Sequence, residues 1–164
     1  EDEFEKQENI KKQKEVFISQ IEFAKKVKKP LIVHIREASN DSRQILMDYN
    51  AKEVGGVLHC YNASEHLLPL SEHNFYFGIG GVLTFKNAKK LIEVLPKIPK
   101  DKLLIETDAP YLTPHPHRGE RNEPYYTVFV AQKMAELLES SFEEIQNLTT
   151  NNAKKLFKEF SSLC

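Results

Sequence analysis

The sequence contains only two cysteines, Cys60 and Cys164. So sparse a pair does not form the disulfide framework of a small secreted protein, and it suits the reducing cytoplasm. No apolar run approaches the roughly 18 residues that a membrane-spanning helix needs. The first residues, EDEFEKQEN, are strongly charged, so we expect a loop or a cut there rather than a signal peptide. These absences predict a cytoplasmic protein that does not enter a membrane.

An excess of positive charge is also lacking, because 23 basic residues face 24 acidic ones. This balance excludes a strongly basic nucleic-acid coat, so any polyanion would have to bind at a local patch. The composition is otherwise that of an ordinary globular protein, and 164 residues suffice for one domain with a sizeable core. Since no repeat, low-complexity tract or linker interrupts the chain, we predict a single domain over residues 1–164.

The spacing of apolar residues predicts helices that alternate with short strands. An amphipathic helix is expected over about residues 8–29 and ends before Pro30. Strands are predicted over residues 31–35, 56–60, 75–81 and 102–107, with helices from about residues 40, 64 and 87 between them. All four strands are apolar on both faces, which is typical of a buried parallel sheet with right-handed crossovers.

The C-terminal part of the chain is predicted to be helical after a long loop. Pro124 suits the first residue of a helix that runs to about residue 139. Ser141 and Glu144 form an S-x-x-E capping box for a second helix. A last helix is expected over residues 151–160.

Potential metal ligands stand at the C-terminal ends of three predicted strands. His34 closes LIVH, His59 closes GVLH and Asp108 follows LLIET. In a (β/α)-barrel these ends open on one rim, where the active site lies. Two imidazoles and a carboxylate suit zinc, manganese or a similar divalent ion. A strand-end histidine is more often a structural residue, but three such positions together favour a metal site.

Other polar residues have two interpretations that the sequence leaves open. Glu106 shares a strand face with Asp108 and either orients a ligand or Arg36, or is a buried structural carboxylate. Arg36, Arg118 and Arg121 are candidates for phosphate binding, with ion pairing as the alternative. Tyr61 and Tyr111 follow strand ends and could stack on a base, although loop packing explains them nearly as well.

Several segments together resemble the TatD family of metal-dependent deoxyribonucleases, in the amidohydrolase superfamily. They are LIVHIREASND, GGVLHCYNAS, GIGGVLTFKNAKKL, IPKDKLLIETDAPYL and RGERNEP, and they follow the family's order over about residues 13–157. The resemblance implies an α/β fold of the (β/α)8 TIM-barrel type with one to three divalent ions (Zn, Mg or Mn) on its rim. It also implies cleavage of DNA phosphodiester bonds, often from the 3′ end, by a metal-activated water.

The resemblance further assigns roles to residues. His34 and His59 would bind one metal, and Asp108 would bind the other metal or take a proton from the attacking water. The family's H-x-H pair and its G-E-x-G-L-D motif are both missing here. His115 and His117 imitate the H-x-H pair, but they lie in a loop after the last strand, where contact with substrate or solvent is expected instead.

The missing motifs indicate that the chain supplies the last four β/α units of the family's barrel. Closure of such a barrel takes about eight strands. We therefore expect an upstream segment of the same protein to complete the barrel and the metal site. We also expect one apolar sheet face to be uncovered and the isolated chain to be inactive. Two alternatives remain: a superfamily hydrolase of a C–N or ester bond, and a non-catalytic fragment or binding module.

Overall fold

The computed structural model describes residues 3–158, in which helices and strands alternate as far as β4. The helices are α1 Glu3–Val27, α2 Ser39–Asp48, α3 Lys89–Val94, α4 Thr127–Leu137 and α5 Phe142–Leu156. The strands are β1 Leu31–His34, β2 Gly56–His59, β3 Phe75–Ile79 and β4 Leu103–Ile105. Short 3₁₀ segments span Ala51–Glu53, Glu65–His73, Gly81–Thr84, Leu95–Lys97, Lys100–Lys102 and Pro124–Tyr126.

The strands form one parallel sheet in the order β1-β2-β3-β4. Each strand pairs with the next one in the chain, as the sequence predicts for a strand–helix repeat. The register places Leu31 beside Gly56, Gly56 beside Phe75, and Phe77 beside Leu103. Within the described residues β1 and β4 are the two edge strands, so this part of the chain is an open sheet.

One face of the sheet carries the main hydrophobic core. Val33, Leu58, Phe77 and Leu103 are each less than 5% exposed and come one from each strand. They pack against apolar side chains from the flanking helices, including Ile21, Leu46, Leu91, Val130, Met134 and Ile145. Because full burial of such a side chain is worth about 1.5–3 kcal/mol, this layer holds the strand ends in register.

The opposite face of the sheet is covered in part by α5, which differs from the expectation of an uncovered face. Val57, Tyr76 and Leu104 form a second buried cluster there. Ala153, Leu156 and Phe157, at the end of α5 and just beyond it, pack against this cluster. On edge strand β1, by contrast, Ile32 remains 69% exposed. The expectation therefore holds only at the β1 side of the sheet.

The structure corrects two predictions about the helices. The acidic start expected as a loop is helical from Glu3, where Glu3 and Glu5 in the first turn favour the helix N-terminus. The helices predicted at residues 141 and 151–160 are one helix, α5, which continues through the polar stretch as far as Leu156. The last residues of the predicted 151–160 helix lie outside the described part of the chain.

No helix in the described residues is both long enough and apolar enough to cross a membrane.

Candidate metal site at the C-terminal end of the sheet

Two histidines lie side by side at the C-terminal ends of β1 and β2. The strand register pairs His34 with His59. Their ring centroids are 5.8 Å apart, and the ring planes are tilted by 44°. The two imidazoles therefore belong to one face and one end of the sheet, as expected for side chains that share a rim.

His59 lies between two carboxylates that follow β4. Its Nδ1 is 2.7 Å from Glu106 Oε2, and its Nε2 is 3.0 Å from Asp108 Oδ1. The side chains of these three residues keep 29%, 15% and 33% of their surface exposed, in the order His59, Glu106, Asp108. This arrangement places both ring nitrogens of His59 against oxygen atoms while leaving the Asp108 side open to solvent.

Glu106 uses both carboxylate oxygens to hold the end of β2. Oε2 faces the His59 ring, and Oε1 accepts the backbone N–H of Cys60 over 2.8 Å. Burial raises the pKa of Glu106, while the hydrogen bond from the Cys60 N–H and the nearby His59 act in the opposite direction. Glu106 therefore orients the His59 ring, while its role beside a metal ligand stays a prediction.

The Cys60 thiol is partly buried beside the site. Burial raises its pKa to about 11, and the charges of Glu106 and Asp108 add to this effect. Its backbone N–H is the part of Cys60 that contacts the site, through Glu106 Oε1.

The loop after β4 holds Asp108 in place through Tyr111 and through Asn122, which the sequence analysis did not identify as a site residue. Asp108 and Tyr111 form an isolated antiparallel bridge, with the Tyr111 N–H 2.7 Å from the Asp108 carbonyl. Asn122, only 3% exposed, donates its side-chain amide to the Tyr111 carbonyl over 2.7 Å and its backbone N–H to the Pro110 carbonyl. Asn122 lies in RGERNEP, one of the segments that resemble the family, and this is the sequence feature from which its role could have been predicted.

The three arginines predicted to bind phosphate are all exposed. Arg118 makes two contacts within the protein: its guanidinium lies 3.8 Å from the centroid of the Phe85 ring, and Nη1 donates to the Thr113 carbonyl over 3.0 Å. Arg36 lines an open groove that also contains His34. Phosphate binding by Arg36, Arg118 and Arg121 remains a prediction.

The two tyrosines predicted to stack on a base differ in their exposure to solvent. Tyr61 is 6% exposed, packs edge-on against Phe77 and donates its hydroxyl to the Ser64 carbonyl over 2.8 Å. Burial also raises the pKa of Tyr61. Its ring belongs to the core and is not open to a base, which corrects that prediction. Tyr111 is 71% exposed, and base stacking there stays a prediction.

The two histidines of the H-P-H segment have partners of their own in the loop. His117 stacks on Tyr126 with ring centroids 4.4 Å apart, and its Nδ1 lies 3.0 Å from Glu120 Oε2. The His115 ring approaches Phe85 edge-on, with centroids 6.5 Å apart. These contacts hold both histidine rings within the loop, so the positions of His115 and His117 are explained without a bound metal.

His59 and Asp108 fit two positions around a divalent ion. Two donor atoms that each lie about 2.0–2.2 Å from one ion are about 2.8–3.6 Å apart, for octahedral to tetrahedral angles. The observed separation of 3.0 Å between His59 Nε2 and Asp108 Oδ1 falls in this interval. However, no group of three or more His, Cys, Asp or Glu side chains within residues 3–158 is arranged to hold an ion. The described residues thus offer part of a ligand set, with His34 beside it.

Comparison with known proteins places the chain in a family. The family model described as "TatD related DNase" matches residues 2–158. The uncharacterized metal-dependent hydrolase YabD of Bacillus subtilis is 53% identical over 147 residues, which are 89% of this chain and 58% of that protein. The uncharacterized metal-dependent hydrolase YcfH of Escherichia coli K12 is 40% identical, over 89% of this chain and 56% of that protein.

The fold comparison agrees with the sequence comparison. The crystal structure of YjjV, a TatD homologue from Escherichia coli K12, superposes with a TM-score of 0.77 at 28% identity. The match covers 84% of this chain and 53% of that structure. The chain belongs to the TatD family, and its sheet has the parallel α/β arrangement of that family's TIM-barrel type. It spans between half and three-fifths of the length of these relatives.

Proposed function

We propose that this chain carries part of the active site of a metal-dependent deoxyribonuclease that shortens DNA from the 3′ end. The observation that carries the proposal is the position of His59, whose two ring nitrogens face Glu106 and Asp108 at the C-terminal end of the sheet. Membership of the TatD family, and the similarity to proteins named metal-dependent hydrolases, support hydrolysis with a divalent ion.

Each residue of the site has a separate task in this proposal. His59 Nε2 and Asp108 Oδ1 would hold a divalent ion of the Zn, Mg or Mn class, with His34 as a further ligand. A bound ion of this kind activates a water molecule and neutralises charge on the phosphate. Asp108, one-third exposed, would also accept the proton that the attacking water releases. Glu106 would hold His59 in position through Nδ1.

Substrate contacts would come from the exposed side chains around this end of the sheet. Arg36, Arg118 and Arg121 would bind phosphates, because the planar guanidinium matches phosphate oxygens. Tyr111, exposed next to the Asp108 bridge, would stack on a base. Because the chain as a whole is nearly neutral, the DNA would be held by this local set of cations.

The rest of the ligand set would come from an upstream segment of the same protein. Such a segment would supply the H-x-H pair and the bridging glutamate and would pair with edge strand β1, where Ile32 is 69% exposed. Residues 1–164 would then be the C-terminal portion of a TatD barrel. We further propose that the complete protein acts in the cytoplasm.

A second candidate function is that of a non-catalytic module. The observation in its favour is that no three-ligand group is found within residues 3–158. In that case the chain would bind a partner or a polyanion without cleaving it.

The decisive experiment measures DNA cleavage by the full-length protein with Mn²⁺ or Mg²⁺. A 5′-labelled oligonucleotide should be shortened stepwise, and a chelator should stop the reaction. Asp108→Asn should lower kcat about 10²–10⁴-fold, since that is the usual contribution of a positioned general base. His73→Ala is the matched control, because His73 ends the 3₁₀ segment just before β3 begins, at the opposite end of the sheet. Metal-independent cleavage, or no cleavage by the full-length protein, would contradict the proposal.

A further inference from the structure

The carboxylate of Glu106 reaches His59 across a strand that belongs to neither residue. His59 ends β2 and Glu106 follows β4, and the sheet order places β3 between them. Even so, Glu106 Oε2 lies 2.7 Å from His59 Nδ1. A side chain can cross a strand in this way only if the residue beneath it leaves room.

The residue beneath the crossing is Gly78 of β3. Gly78 pairs with Leu104 on one side, and its carbonyl accepts the Tyr61 N–H on the other. A Cβ atom on Gly78 would overlap Glu106 Oε2, the same oxygen that faces His59. It would also come within 3.1 Å of Glu106 Cδ and of the Leu58 carbonyl oxygen, so the overlap with Oε2 is the most severe of the three contacts. A side chain at position 78 and the Glu106–His59 contact therefore compete for one space.

The backbone at position 78 does not itself require glycine. The positive-φ glycines of the described chain are Gly55 and Gly119, so Gly78 has a conformation that other residues adopt. Glycine in a strand interior weakens the strand and often marks a close approach by another group. At Gly78 that group is the Glu106 carboxylate.

We propose that Gly78 is a positioning residue of the active site, whose missing side chain lets Glu106 fix the His59 ring with Nδ1 toward Glu106 and Nε2 toward the metal side. This inference rests on the proposed function for the ligand role of His59. The second Glu106 oxygen, which accepts the Cys60 N–H over 2.8 Å, holds the carboxylate in the crossing position. Gly78 would thus determine the orientation of the His59 ring, on the neighbouring strand, without contacting the substrate.

A double-mutant cycle in the full-length protein tests the steric part of the proposal. Gly78→Ala should lower the denaturation midpoint in the wild-type background. The same change should have a smaller effect in Glu106→Ala protein, because the overlapping carboxylate is gone and only the 3.1 Å approach to the Leu58 carbonyl remains. Gly80→Ala is the matched control, since its Cβ would lie 3.4 Å from Glu106 Oε1, an ordinary contact. If Gly78→Ala alone does not fold, folding of the double variant supports the proposal, and failure of both overturns it.

Two readouts test the positioning role rather than the fold. A ¹⁵N-resolved NMR spectrum should show a protected His59 Nδ1–H in wild type and in Gly80→Ala, and should lose it in Gly78→Ala and Glu106→Ala. Affinity for Mn²⁺ alone should fall about 10–100-fold in Gly78→Ala, as for other groups that orient a metal ligand. A Gly78→Ala protein that keeps the Nδ1–H signal would overturn the inference. The NMR measurement needs neither metal nor DNA, so its outcome is independent of whether the protein is a nuclease.

Discussion

The buried side-chain amide of Asn152 in α5 donates to the Leu103 carbonyl over 2.9 Å, at the first residue of β4. The same amide donates to the Lys100 carbonyl, also over 2.9 Å. Asn152 is 1% exposed, and the next residue, Ala153, packs on the second hydrophobic cluster. This contact ties the last helix to the strand that leads to Glu106 and Asp108.

Replacement of Asn152 by alanine should destabilise the protein by about 1–3 kcal/mol, because the buried Leu103 carbonyl and the partly buried Lys100 carbonyl each lose the hydrogen bond from Asn152. Urea denaturation followed by circular dichroism measures the change. Asn151→Ala is the control, since Asn151 is exposed in the same turn and the change has the same effect on helix propensity. Equal effects of the two substitutions would show that the buried hydrogen bonds do not stabilise the fold.

The capping box at the start of α5 gives a second prediction. The Ser141 hydroxyl accepts the Glu144 N–H over 3.1 Å, and Glu144 Oε2 accepts the Ser141 N–H over 2.7 Å. Loss of an N-cap hydroxyl costs about 1 kcal/mol, so Ser141→Ala should lower the free energy of unfolding by that amount. Ser141→Asp, which keeps an acceptor, should retain most of the stability.

The same box should make stability depend on pH. The Ser141 N–H, together with the Ser141 and Ser140 hydroxyls, lowers the pKa of Glu144 from its usual 4.5. Because the folded-state pKa is the lower one, this stabilisation is complete above pH 4.5 and is lost as the pH falls through the folded-state value. Wild type should therefore exceed Glu144→Gln in stability at neutral pH and approach it in acid. A difference that grows in acid would be opposite in sign to this prediction.

The strands and the start of α5 could be predicted because their signals are local. Buried parallel strands are short apolar runs; Pro30 directly precedes β1, and Gly56 is the first residue of β2. The capping box was confirmed because Ser141 and Glu144 are only three residues apart. Strand-end positions likewise sufficed to single out His34, His59 and Asp108.

The remaining features depend on contacts between distant residues. The polar stretch NLTTNN looks like a helix break, yet α5 continues through it because Asn152 finds acceptors 49 and 52 residues away. Base stacking and loop packing remained alternatives for Tyr61, because a sequence does not show that Phe77 will lie against its ring. The role of Gly78 follows only from the sheet register, which brings Glu106 across β3.

Arg118 gives a prediction about DNA binding. Arg118→Ala should weaken DNA binding by the full-length protein and reduce the slope of log K against log salt by about 0.9 for duplex DNA if it contacts one phosphate. Arg118→Lys keeps the charge but loses the planar stack on Phe85. It should therefore lower thermal stability as Arg118→Ala does, while preserving the salt slope. An unchanged slope in Arg118→Ala would mean that this arginine serves only the loop.

If His59 and Asp108 share a divalent ion, as proposed, the position of that ion can be observed in a crystal. Crystals of the full-length protein soaked in Mn²⁺ should show an anomalous-difference peak about 2.0–2.3 Å from both His59 Nε2 and Asp108 Oδ1. The Glu106 carboxylate should remain on His59 Nδ1. An ion bound away from this pair, with His59 Nε2 and Asp108 Oδ1 still in direct contact, would contradict the account.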